Sequence, residues 1–443
     1  MEIRDVIVTP VVILAVLFVA YFIRPRVTDD LTRKYFLPAL VLKIFGAIVL
    51  GFIYQFYYSG GDTFNYHTHG SRHMWEAIIE SPSKGLSFFF REASDYQGVY
   101  KYASRILFFN DPNSLVVVKF AALLDLFTFS TYSATATLFA VFSFIGAWCL
   151  FITFYRQYPK LHYQLAIATL FIPSVIFWGS GILKDSIVLS CLGIATFQFY
   201  KFFTERRLSI INLMVLLISL YLIFSIKKFI LQAYLPAVIL WIVAKNISRV
   251  PSLVARMMIV PFMAGLIAYS AYYSVIKVGE GDSKYSVDKL AETVKVTAYD
   301  IRYWSGREAG SGYSLGELDG SFGSMVKLAP QAINVSLFRP YLWEVKNPLM
   351  LLSALEATFF LFFTLYVLAK KRLRFFQALA DPNIIFAYTF SLSFAFAVGV
   401  STFNFGTLAR YKIPLLPFFA TALILTYNHL NNERKLIEFD LTE

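Results

Sequence analysis

Apolar runs of about 20 residues, separated by short polar segments, recur along the chain. That length is what a helix needs to cross the roughly 30 Å hydrocarbon core of a bilayer. The pattern predicts about eleven spans, at roughly 5–24, 35–58, 131–155, 162–179, 185–204, 208–226, 229–246, 252–276, 347–369, 382–402 and 412–429. The interval 59–130 is only partly apolar. Within it, 74–90 and 115–130 read as helices lying on the membrane. In the second, Lys119 and Asp125 would each cost about 2.5–3.5 kcal/mol at mid-bilayer, so a re-entrant or interfacial helix fits better than a lipid-facing span. The predicted fold is an all-α polytopic membrane protein. It divides into a membrane domain 1–277 with a loop at 59–130, a large loop 278–345, and membrane helices with a short tail over 346–443. Residues 306–324 are glycine-rich without apolar period, which suits a lid or substrate-binding segment better than a passive connector.

Composition sharpens this. The chain is 58% hydrophobic and 15% charged, against about 45–50% and 25% for a soluble domain. The net charge of +12 would suit nucleic acid, but the basic residues sit in short clusters between apolar runs, where they orient membrane helices. The expected partner is therefore the lipid bilayer and not nucleic acid. Cys149 and Cys191 fall inside apolar runs and predict neither a disulfide nor a thiolate metal site. The first run, 6–23, lacks a small-residue cleavage site, and is expected to be retained as a span.

Basic clusters at 24–34, 156–160, 201–207, 245–249, 370–374 and 434–435 fall on one side when the spans alternate. The positive-inside rule makes that side cytoplasmic, with the N-terminus exoplasmic and the C-terminus cytoplasmic in an inner (plasma) membrane. Five polar elements then share the exoplasmic face: SGGDTFNYHTHGSRHMWE (59–76), GSGILKD (179–185), SIKKF (225–229), the loop 278–345 and NFGTLARYK (404–412).

Each element offers chemistry beside a plainer structural role. Asp62, just past Gly60 and Gly61, stands where a general base would act on an acceptor hydroxyl, or where an Asx-turn would end a helix. His67, His69 and His73 have H-x-H and i, i+4 spacing. A divalent metal is the lesser reading for them and hydrogen bonding to a phosphate or sugar the greater, so no cofactor is required. Lys184 and Asp185 open a predicted helix, where free amides and the lysine favour an anion, or where a plain cap and a snorkelling lysine suffice. Lys227 and Lys228 put two positive charges on an outside turn, which an anionic ligand or lipid headgroups would explain. Arg339, within SLFRPYLWEVKNP, could combine with its aromatic neighbours to hold a sugar and a phosphate, or belong to an interfacial belt. Arg410, Tyr411 and Lys412 precede Pro414 and Pro417; an arginine stiffened there suits a phosphate, or anchors the helix to headgroups.

Asp62 followed by 63–130, Asp185 within GILKDS, and ARYKIPLLP (409–417) together resemble the GT-C superfamily of membrane glycosyltransferases. The resemblance covers the layout of roughly the first 200 and last 40 residues, by short motifs. It implies a polyprenyl-phosphate-linked sugar as donor, a glycan, lipid or protein as acceptor, and Asp62 and Asp185 as the two acids. The chain departs from that pattern in an extra leading helix, and in having no DxD or Asp-Asp pair in its first loop, which speaks against a metal-dependent oligosaccharyl transferase. Bacterial O-antigen and exopolysaccharide polymerases are similar in span count and in basic exoplasmic residues. The expected function is sugar or oligosaccharide transfer on the exoplasmic face, in cell-envelope polysaccharide assembly. The rival classes are a polymerase of lipid-linked repeats, a transporter or flippase of an anionic lipid-linked substrate, and a non-catalytic scaffold. Transporters carry ionisable residues in several spans, whereas Glu356 is nearly alone in that respect here.

Overall fold

A computed structural model of the chain describes residues 2–246, 322–402 and 404–440, with Phe262, Gly265, Tyr269, Gly312, Tyr313 and Leu315 between them. These residues are helical, apart from loops and one isolated antiparallel bridge between Gly312 and Asn404. The chain divides into two compact units, Met1–Lys227 and Lys228–Glu443.

The first unit is built on α1 (Ile3–Val27), α2 (Arg33–Phe52), α8 (Tyr132–Tyr155) and α11 (Lys184–Phe203). A π-helical turn, Ile53–Tyr57, extends α2. Between α2 and α8 come α3 (Asp62–Tyr66), a π-helical turn His67–Ser71, α4 (Arg72–Glu80), α5 (Pro82–Ser87), α6 (Tyr100–Ala103) and α7 (Pro112–Thr128). Two short helices, α9 (His162–Leu170) and α10 (Pro173–Trp178), join α8 to α11. Then α12 (Ile210–Asn246) carries the chain across the division between the units.

Contacts fix how the long helices run. Along α8, Ser143 receives the ammonium of Lys43 in α2 at 3.0 Å, Phe151 meets the Tyr35 ring at 5.9 Å, and Tyr132 bonds Thr63 beyond the end of α2 at 2.7 Å. Hence α2 and α8 are antiparallel. Ser190 of α11 donates to the Phe142 carbonyl at 2.5 Å, while Arg156 after α8 pairs with Glu205 after α11 at 2.6 Å. Those two helices are parallel. Their backbones touch: a Cβ on Gly193 would lie 2.0 Å from the Gly146 carbonyl oxygen, the close approach that small residues permit between apolar helices. Parallel to α8 as well, α1 is held at one end by Asp5 accepting from the Ser133 amide at 2.8 Å. At the other end, Asp29 accepts from the Tyr155 hydroxyl at 2.7 Å.

The second unit contains the later part of α12, α13 (Phe322–Phe338), α14 (Pro348–Lys371), α15 (Phe375–Ala378), α16 (Pro382–Ser401), α17 (Phe405–Tyr411) and α18 (Leu416–Asp440). Asn347 and Asp381 cap α14 and α16 by accepting from backbone amides, each followed by proline at the first helical position. There proline's missing N–H costs nothing. Fused aromatic stacks fill the interior: Phe390 packs edge-on against Phe418 at 4.7 Å and Trp241 lies flat on Phe386 at 4.6 Å. Trp241 also donates to Asn383 at 2.8 Å.

Seven of the described helices are long and apolar enough to cross a membrane, or eight if the pair Phe405–Tyr411 and Leu416–His429, bent by 67°, is one span. The chain is thus an α-helical multi-pass membrane protein. Six of the expected spans coincide with such helices: 5–24, 35–58, 131–155, 185–204, 347–369 and 382–402. Span 162–179 is broken ahead of Pro173 into α9 and α10, because the residue before a proline is pushed out of the helical region. Spans 208–226 and 229–246 lie within Ile210–Asn246, where two helical stretches meet at a kink at the non-helical residue Lys227. The SIKKF segment is the place where those two stretches meet. Span 252–276 and most of the loop 278–345 fall outside the described residues.

Candidate functional site

Because α2 runs against α1, α8 and α11, the segments after α2 and before α8 and α11 meet at one end of the first unit. The basic segments 24–34, 156–160 and 201–207 meet at the other, as the Asp29–Tyr155 and Arg156–Glu205 contacts require. Three of the five expected polar elements, 59–76, 179–185 and Lys227, thereby share one end.

The 59–76 segment turns sharply into that end. Ser59, Gly60 and Gly61 have φ of 58°, 128° and 125°, a run in which glycine is the residue without penalty. A Cβ on Gly61 would lie 2.9 Å from the Tyr54 ring, and Tyr54 in turn meets Trp178 edge-on at 6.4 Å. One tyrosine thus sits between the residue preceding Asp62 and the end of α10. Asp62, half-buried, opens α3. Its neighbours are anchored on Tyr132, Thr63 by the 2.7 Å hydroxyl contact and Phe64 by ring stacking at 4.4 Å.

The three histidines diverge. His67 is fully buried, with Nε2 3.3 Å from Asp125 Oδ1 and its ring edge-on to Tyr132. Asp125 also accepts from Thr135 at 2.6 Å. His73 faces Glu76 at 3.1 Å, and Glu76 takes a second contact from Arg105 at 2.9 Å. Burial holds the His73 imidazole below its ordinary value in spite of Glu76. His69 is exposed, and its carbonyl accepts from the Leu107 amide at 2.9 Å. Among the described residues no three His, Cys, Asp or Glu side chains are grouped to hold a metal ion.

Charges of alternating sign line the start of α11. Asp111 caps α7 and stands 3.4 Å from the Lys184 ammonium; the adjacent Asp185 is ion-paired with Lys227. Asp185 and Lys227 are buried, whereas Lys184 and Asp111 keep 18% and 42% of their side chains exposed. Although burial raises the Asp111 carboxyl, the Ser114 hydroxyl and the Lys184 charge hold it below its ordinary value. The set places two ammonium groups against two carboxylates, and of the two cations only Lys184 is partly exposed, beside the more exposed Asp111. Asp111 escapes a reading of the sequence, where N-D-P-N (110–113) signals only a helix start.

A second residue missed in the sequence is Lys43. It is buried inside α2, and its ammonium donates to Ser143 Oγ at 3.0 Å, the Val175 carbonyl at 2.9 Å and the Gly179 carbonyl at 3.1 Å. Three donors meet three acceptors. A lone lysine in an apolar run gives no sign of this, because two of the acceptors are carbonyls in and just after α10, more than 130 residues away in sequence.

In the second unit, Arg339 forms a two-pronged pair with Glu344 and lies over the rings of Phe405 and Tyr313 at 5.1 and 5.5 Å. Burial raises Glu344, but the arginine's hydrogen bonds hold it below its ordinary value. Lys412 is buried and donates to the Arg339 carbonyl at 3.3 Å. Arg410 lies over the Tyr411 ring at 5.7 Å, both residues half-buried at the end of α17. Lys228 is exposed, one residue past the break in α12. Comparison with protein-family models, with curated proteins and with solved structures finds no match.

Proposed function

We propose that this chain is an integral-membrane glycosyltransferase that moves a sugar or oligosaccharide from a polyprenyl-phosphate-linked donor to an acceptor at the exoplasmic face. The observation that carries the reading is the gathering of Asp62, Lys184 and the Asp185–Lys227 pair at one end of the first unit, opposite the basic loops. In this reading the basic end faces the cytoplasm. Lys184, the partly exposed ammonium, draws the donor phosphate, and the buried Asp185–Lys227 pair holds the start of α11 in place. The acceptor hydroxyl gives its proton to Asp62 as its oxygen bonds to the anomeric carbon. The bond from that carbon to the phosphate oxygen breaks, and the electron pair leaves on the phosphate, where fixed cations stabilise it. Arg410 and Tyr411 are further phosphate-binding candidates, to be tested by substitution. Lys412, His67 and His73 are buried, as Lys227 is, which favours structural roles for them.

Reconstitution into vesicles with a labelled polyprenyl-phosphate sugar tests the reading. Wild-type protein is expected to make product, Asp62→Asn to lose about a hundredfold or more in rate, and Lys184→Ala to raise the donor KM. Full turnover in both variants at normal membrane levels overturns it. Label that becomes protected without product would mean transport, and product length separates single transfer from polymerisation of lipid-linked repeat units.

A further inference from the structure

The first helix is fastened at its two ends and stands off in between. The Asp5–Ser133 and Asp29–Tyr155 hydrogen bonds tie the α1 region to α8 at both extremes. Yet among the described residues of α1 only Asp5, Thr9 and Ala20 are buried. The gap is a cavity of about 800 Å³, reaching along α1 from Val12 to Val27, with Leu40 of α2 and Trp148 of α8 on the facing wall. Its walls are almost wholly apolar, so water has no partners there. Arg26 and Arg156 line the end of the cavity that opens at the basic face. Arg156 is fixed by Glu205 at 2.6 Å and lies over the Phe197 ring at 5.4 Å, while Arg26 is exposed. A dry groove the length of a hydrocarbon tail, with guanidinium groups at one mouth, matches a molecule that is apolar along its length and anionic at one end.

We propose that this groove binds one anionic glycerophospholipid from the leaflet at the basic face. An acyl chain fills the space between α1 and the α2–α8 pair, and the headgroup phosphate meets Arg26 and Arg156. The bound lipid is then a wedge that completes the packing of α1. This site stands apart from the glycosyltransferase reading, since it lies on the opposite end of the unit and its test needs no activity.

The test is native mass spectrometry of the full chain in a mild detergent, with phosphatidylglycerol and phosphatidylcholine of identical acyl chains added in competition. Phosphatidylglycerol is expected to be retained at one molecule per chain, and to raise the thermal unfolding temperature. Arg26→Gln should weaken that retention about fivefold, the effect of one basic residue at a charged lipid surface. Ala15 is exposed to the groove, so Ala15→Trp plugs it without disturbing a packed core. That variant should unfold like the wild type without added lipid and lose both retention and the lipid-induced rise. Equal retention of the two phospholipids, displacement of phosphatidylglycerol by a polyprenyl phosphate, or unchanged retention in Ala15→Trp would each overturn the proposal.

Discussion

Asp185 and Lys227 form a buried ion pair that joins the start of α11 to the single non-helical residue of α12. Both charges are out of solvent, so each is the other's compensation, and removing one leaves the second stranded. Asp185→Asn and Lys227→Met should each destabilise the protein by about 3–5 kcal/mol, whereas the double variant should recover most of that loss. Thermal unfolding of all four proteins in one detergent, read as a double-mutant cycle, measures the coupling. Additive losses would mean that the pair contributes nothing as a pair.

Lys43 stabilises the broken end of α10 by supplying donors to the Val175 and Gly179 carbonyls. Lys43→Met keeps the apolar stem and removes three donors. The Gly179 amide still bonds the Val175 carbonyl and the Ser143 hydroxyl still bonds the Gly179 carbonyl, so the cost should be about 1–2 kcal/mol. Hydrogen exchange should rise locally around residues 175–181, ahead of any change in α1. Lys43→Arg should rescue little, because a planar guanidinium does not reproduce the three directions of an ammonium.

Gly61 and Gly98 both have positive φ, at 125° and 71°, but only Gly61 faces an obstacle, the Tyr54 ring. Gly61→Ala should cost about 1–3 kcal/mol from backbone strain and the clash together. Gly98→Ala, with nothing within 4 Å of its Cβ, should cost less. Unfolding temperatures of the two variants, compared directly, check the ranking.

Asp111 supplies a pH dependence of known sign. Burial raises its carboxyl, but the Ser114 hydroxyl, the Lys184 charge and the backbone amides of Asn113 and Ser114 together hold it below the ordinary value of 3.8. A depressed folded value means that the stabilisation is full above the ordinary value and is lost as the pH falls through the folded one. The protein should therefore weaken on acidification below about pH 4, and Asp111→Asn should be less stable at neutral pH with a flatter acid limb. Unfolding midpoints between pH 3 and pH 7, set about these carboxylate values, provide the measurement.

The sequence by itself determined that the chain crosses a membrane several times and where most crossings begin. Apolar run length is a local property, and Asp-Pro or Asn-Pro at 111–112, 347–348 and 381–382 writes a helix start into adjacent residues. Alternation of basic segments also foretold that 59–76 and 179–185 share an end. Only the tertiary structure decided which polar residues meet. His67 turned inward to Asp125, Lys184 found Asp111, and Lys43 found carbonyls more than 130 residues away in sequence. Helices that are apolar around most of their circumference carry little periodic signal of which face is inside. A buried charge is then assigned its partner by packing alone, because leaving it unpaired costs more than any local preference can offset.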